Sequence, residues 1–167
     1  MTGSGEIQAV LFGLGEEVFA VPVALVREIL DHREAFRIPN GPDWLLGLTD
    51  VRGQAVPTVD LRVRLGMSSA AVTLATRVLV VDLPIDGRTL TLGLVVDRVL
   101  DVSTFTQAQI EPKPDIGVRW KSDYLRGIVR RADGFVVLLD VSAIFADAED
   151  VATFLWTRLE RSNTAAI

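Results

Sequence analysis

A chain of 167 residues suits one domain or two very small ones, and 49% apolar residues with a positive mean hydropathy exclude a disordered polymer. The formal net charge of −5 excludes the basic footprint of a general nucleic-acid binder, and the lack of cysteine excludes disulfides and thiol chemistry. Twenty-three valines point to an all-β chain, because β-branched residues favour pleated, half-buried surfaces.

The opening residues, Met1 to Glu6, lack a basic stretch followed by an apolar one, so no signal peptide is expected. The longest apolar run, Val18 to Val26, contains Pro22 and is far shorter than the roughly 20 residues of a membrane helix. The expectation is a soluble, cytoplasmic protein without membrane insertion.

Segments 7–12 and 17–23 about Gly13-Leu-Gly-Glu16 predict a hairpin. Val23, Val26 and Leu30 then share one helical face, which predicts a short helix or turn. Residues 31–44 are polar and turn-rich. A second hairpin, 45–51 and 55–59, turns at Arg52-Gly53-Gln54, and Asp60 caps a helix of one or two turns ending at Gly66. After the small residues 67–75 the order begins again, with strands at 77–83 and 89–96 about Pro84 to Gly87. A polar, proline-containing loop is expected at 103–123. A hairpin of 125–131 and 135–139 turns at Ala132-Asp-Gly134, and Asp140 caps the turn 141–145. Val151, Phe154, Leu155 and Leu159 predict an amphipathic C-terminal helix over 150–161.

The order is an internal repeat, about 6–66 and 76–146. Phe19 to Val23 lies over Leu92 to Val96 at an offset of 73, which also places Val26 on Val99 and Ile29 on Val102. Gly47 falls on Gly127 and Asp60 on Asp140 at an offset of 80, and Gly53 on Gly134 at 81. Two similar small barrels of four or five strands, closed to remove their edges, are the economical fold.

No catalytic or metal site emerges. The single histidine, His32, cannot build a typical zinc site without cysteines, and no serine sits in a nucleophile elbow. Asp60 and Asp140 read as helix caps, and Asp97 and Asp101 as a solvated strand edge. Arg52 beside Gly53 reads, from the residues alone, as a turn arginine facing water, and Glu28 as part of a polar face. A small β-barrel ligand-binding module or a carboxylate-only hydrolase stays open on this ground.

Val26-Arg-Glu-Ile29, Ile38-Pro-Asn-Gly-Pro42, Gly47-Leu-Thr-Asp-Val-Arg-Gly53 and Val56 to Arg62 resemble the first half of the CheW family. Gly93 to Asp97, Val99 to Val102, Ile110-Glu-Pro112 and Tyr124-Leu-Arg-Gly127 resemble the second. The match covers about 6–148, one CheW-like domain. The resemblance implies two five-stranded β-barrels and a non-catalytic adaptor without cofactors. Such an adaptor binds the cytoplasmic tip of a methyl-accepting chemotaxis receptor and the regulatory domain of the histidine kinase CheA. The alternative within the class is an adaptor of a related chemosensory system, such as pilus motility.

Carried over position by position, the receptor groove is lined by Val23, Val26, Glu28, Ile29, Val96, Val99 and Val102. Gly47, Arg52, Gly53 and Gly93 shape or flank it. Kinase contact is expected near Ile110, Glu111 and Ile116. Where the family usually has asparagine this chain has Asp50, whose carboxylate is expected either to pair with Arg52 or to repel an acidic receptor residue.

Overall fold

The computed structural model describes residues 5–112 and 124–146, so Ile116 and the expected helix at 150–161 lie outside the described residues. The chain is mainly β. Hairpin β1 (Ile7–Leu14) and β2 (Glu17–Pro22) is followed by a 3-10 turn at Val23–Leu25, then β3 (Val26–Asp31), β4 (Leu45–Val51), β5 (Gln54–Asp60) and the short helix α1 (Leu61–Arg64). The second half has β6 (Arg77–Ile85), β7 (Arg88–Val96), β8 (Arg98–Phe105), a 3-10 turn at Gln107–Gln109 and β9 (Ile110–Glu111). It closes with β10 (Leu125–Arg131), β11 (Gly134–Leu139) and α2 (Val141–Ala146).

Two expectations are corrected. Residues 26–31 form a strand rather than a helix: Val26, Glu28 and Leu30 are half-buried and the residues between them exposed, the two-residue period of a strand half in contact with a core. The expected loop from 103 begins as strand, because Ile7 to Gly13 supplies a partner for β8 along almost its whole length.

The six-stranded sheet has the order β8-β1-β2-β11-β10-β9, and the five-stranded sheet β3-β6-β7-β5-β4. Each sheet draws strands from both repeats. In each sheet the hairpin that opens one repeat lies between strands of the other. The mainly β fold of two similar units is as expected, and each unit is completed by strands of the other repeat rather than by its own alone.

The register repeats as well. Val99 pairs with Phe12 as Val26 pairs with Val81, and Leu138 lies parallel to Ala20 as Thr58 does to Gly93. The amide of Asp60 bonds the Trp44 carbonyl and that of Asp140 the Tyr124 carbonyl, both at 2.8 Å. Asp140 caps α2 through the Ala143 amide at 3.0 Å, and Asp60 caps α1 through that of Val63.

The exchange explains why the hairpin strands read as nearly unbroken apolar runs, since they are buried on both faces. Val10, Phe12 and Leu14 of β1 meet Leu79, Val81 and Leu83 of β6 in one core between the sheets. The alternate residues Ala9 and Leu11 face a second core with Val129 and Val136, and Val78 and Val80 a third with Val51 and Val56. At one side of the inter-sheet core the two helices meet. Arg64 of α1 lies 5.4–5.8 Å from the Trp44, Tyr124 and Phe145 ring centroids and donates to the Ile144 carbonyl of α2.

Candidate functional site

The β4–β5 turn is built from Arg52 and Gly53, with φ of 51° and 81°. Two consecutive left-handed residues make the tight connection whose twist matches paired strands, a place that favours Asn-Gly or Asp-Gly. Asp86-Gly87 makes the same turn between β6 and β7. Arginine at the first position is a costlier choice.

The Asp50 side chain does not reach Arg52. Its Oδ1 accepts the Gly53 amide at 2.9 Å, so the carboxylate braces the turn, and its carbonyl accepts Nη1 of Arg33 at 2.8 Å. Arg52 instead pairs with Glu28, Nε donating to Oε2 at 3.0 Å and Oε1 at 3.2 Å. The bond raises the Arg52 pKa above its ordinary value, and the guanidinium stays 80% exposed while the Glu28 side chain is 17% exposed.

A bulge in β3 makes this geometry. Val26 pairs with Val81 but Glu28 with Val80, so Arg27 is the extra residue. Such a bulge re-aims side chains, and here both Arg27 and Glu28 reach the β4–β5 turn. Arg27 donates through Nε and Nη2 to the two oxygens of Asp82 at 3.1 and 2.9 Å, and through Nη1 to Gln54 Oε1 at 3.1 Å. The hydroxyl of Thr91 donates to Asp82 Oδ1 at 2.6 Å. β3 shares no backbone pairing with β4 or β5, and the Arg27–Gln54 and Glu28–Arg52 bonds link it to their turn.

The second repeat keeps the backbone and changes the chemistry. Leu100 is the extra residue of the matching bulge in β8, and Asp101 stands at the position of Glu28. Both line an open cleft of about 470 Å3 with Glu16, Glu17, Asp133 and Phe135.

The apolar residues expected in the groove separate into three kinds. Val23, Val26 and Val99 are half-buried against the inter-sheet core. Ile29 and Val102 are exposed, and Val96 is fully inside the core, where it offers no surface. Gly93 is buried in the sheet, pairing with Val80 and Thr58. Gly47 serves close packing, because a Cβ there would lie 2.1 Å from the Phe36 carbonyl oxygen.

Ile110 and Glu111 form the β9 edge of the six-stranded sheet. Arg130 grips both Glu111 oxygens at 3.0 Å, holding that carboxyl below its ordinary pKa, and lies 5.0 Å from the centroid of the Phe135 ring.

Asp97 is not a solvated strand edge. Its Oδ2 accepts the Gly15 amide and Arg62 Nη1, each at 2.6 Å, fastening α1 and the β1–β2 turn to the β7–β8 junction. Among the described residues, no cluster of three or more His, Cys, Asp or Glu has the arrangement of a metal site.

Residues 8–149 match the family described as CheW-like domain. The chain belongs to that family. It is 32% identical over 148 residues to the probable chemotaxis protein CheW of Rhizobium etli, covering 89% of this chain and 93% of the relative. It is also 32% identical over 139 residues to the chemotaxis protein CheW of Klebsiella aerogenes, covering 83% and 81%. The crystal structure of the scaffolding protein TtCheW from Thermoanaerobacter tengcongensis superposes with a TM-score of 0.73 at 26% identity, covering 83% of this chain and 87% of that one. The CheW-like fold thus holds the bulged β3, the Arg52 turn and the valine rim in one scaffold. The residues missed from sequence are Arg27, Gln54 and Asp82, whose only signal was an arginine beside Glu28.

Proposed function

We propose that this chain is a non-catalytic adaptor that couples methyl-accepting chemotaxis receptors to the histidine kinase CheA. The helical receptor tip lies along the rim of the inter-sheet core, where Val23, Val26 and Val99 supply apolar contact and the exposed Ile29 and Val102 extend it. Arg52 fixes the register through a polar contact. The regulatory domain of the kinase takes the β9 edge at Ile110 and Glu111, with Ile116 farther along the chain as a further contact. The protein works in the cytoplasm, carried to membrane receptor arrays by its partners.

The observation that carries this reading is Arg52 itself. A left-handed arginine stands where asparagine or glycine fits with less strain, and strain of this kind clusters at functional positions. Membership of the CheW-like family supports it. The test is kinase activity in a reconstituted receptor–kinase mixture with Arg52→Ala, alongside a thermal melt. Activity should fall severely with the melting temperature nearly unchanged, and full activity would remove Arg52 from the site.

Val99→Asp tests the rim. It should weaken receptor binding at least roughly tenfold, because a carboxylate would be desolvated there without a partner. A collapsed melt would make Val99 a core residue instead.

A further inference from the structure

We infer that Arg27, oriented by Asp82, is a positioning residue that fastens the β4–β5 turn to β3 and so presets the direction of Arg52. The inference deepens the receptor reading of Arg52 and rests on it for its functional meaning.

The argument begins with the shape of the guanidinium. It is a planar fork whose donors keep fixed directions. With Nε and Nη2 on the two Asp82 oxygens, Nη1 is the remaining nitrogen, and it points at Gln54 Oε1. Asp82 is itself oriented, because Thr91 on the neighbouring β7 donates to Oδ1. Asp82 lies on β6, an interior strand, and Thr91 on the central β7, so the chain of contacts starts inside the sheet and ends on the turn. A lysine in place of Arg27 is a point charge and cannot make these bonds in one plane.

Gln54 is the right contact for this task. It pairs with Val51 across the turn and follows Gly53 directly, so holding its side chain holds the C-terminal limb of the turn. Glu28 holds Arg52, the first turn residue. Consecutive residues of the β3 bulge thus take both sides of the turn.

The two contacts differ in their fate. A partner that binds Arg52 competes with Glu28 for the guanidinium. The Arg27–Gln54 bond does not involve Arg52 and survives that competition. Exposed ion pairs are individually weak, and the exceptions are bidentate, networked ones of this form. The second repeat supplies a contrast: Leu100 replaces Arg27 and Phe135 follows Gly134 where Gln54 follows Gly53. There the corresponding seam is an open cleft.

The test compares Arg27→Lys, Asp82→Ala and Asp82→Asn with the unaltered protein and with Arg52→Ala. Four quantities are read: the melt, the exchange rate of the Gly53 amide, nitrogen relaxation at Arg52 Nε, and affinity for a soluble fragment of a receptor's cytoplasmic tip. With melts unchanged, the Arg27 and Asp82 variants should speed Gly53 exchange and loosen Arg52 Nε. They should weaken tip binding roughly three- to tenfold, the cost of re-ordering one or two side chains on binding. Asp82→Asn, which keeps the shape, should fall between Asp82→Ala and the unaltered protein.

Unchanged exchange and relaxation in Arg27→Lys and Asp82→Ala would overturn the inference. So would loosened dynamics with unaltered tip binding, if Arg52→Ala does weaken binding. Loosened dynamics with binding insensitive even to Arg52→Ala would uphold the positioning and sink the receptor reading instead.

Discussion

Arg52 and Asp60 each hold a conformation or charge that a neighbouring amino-acid type would hold with less cost. At Arg52 the left-handed backbone favours asparagine. Arg52→Asn should therefore raise the melting temperature by a few degrees, about the size expected for relieving one strained turn residue in a domain of this length. Coupling should be lost in the same variant, and calorimetry beside a kinase assay checks both halves.

At Asp60 burial pushes the carboxyl pKa up. The Val63 and Arg62 amides and the Arg62 charge pull it back, and Asp97 adds to the rise. The folded state then holds a proton more tightly than the unfolded one, so stability falls as the pH rises through the interval above the ordinary carboxylate value. At neutral pH the full cost is present. Asp60→Asn keeps a side-chain oxygen to cap α1, so it should stabilise the fold at pH 7 and lose that advantage near about pH 3. Melts of both proteins at the two pH values test this. An equal difference at both would show that ionisation is not the cause.

Among the elements, the turns and caps were legible and the edges were not. Gly53, Asp60, Gly134 and Asp140 announce themselves through local chemistry, since a tight turn or a helix start is decided within four residues. The strand at 26–31 was hidden because its apolar spacing fits a helix equally well, and only pairing with β6 selects the extended form. Strand β8 was hidden for the same reason, its partner β1 lying some ninety residues away. Of the proposed groove, the equivalent positions Val26/Val99 and Ile29/Val102 were readable from the offset. The burial of Val96 was not, since it depends on which face of β7 meets the other sheet.

The glycines separate two element-level roles. Gly47 has φ of 143° and faces the Phe36 carbonyl, so Gly47→Ala should destabilise by at least about 2 kcal/mol through strain and overpacking. Gly53 has open space around it, and Gly53→Ala should cost about 1 kcal/mol from backbone conformation alone. Urea melts of the two variants should preserve that order.

For the molecule as a whole, the exchange of strands decides how it comes apart. Neither repeat owns a complete sheet, so residues 1–75 made alone should lack cooperative folding, as should 76–167. Mixed together, the two fragments should recover the native spectrum, because the chain is cut only at the end of the exposed stretch 68–75. Independent folding of either fragment by near-ultraviolet dichroism would contradict the exchanged topology. The intact chain should unfold in a single transition seen alike by probes in both sheets.

The same exchange sets a timetable during synthesis on the ribosome. The five-stranded sheet has all its strands once residue 96 has emerged. The six-stranded sheet, though its central hairpin is the first to be made, waits for β11 and residue 139. At about 5–20 residues per second, β1 and β2 spend some seconds without the strands that will flank them. They are among the most apolar segments of the chain, buried on both sides in the end. The nascent protein therefore meets its greatest exposure to holding chaperones in that interval, and its earliest residues are the last to find their place.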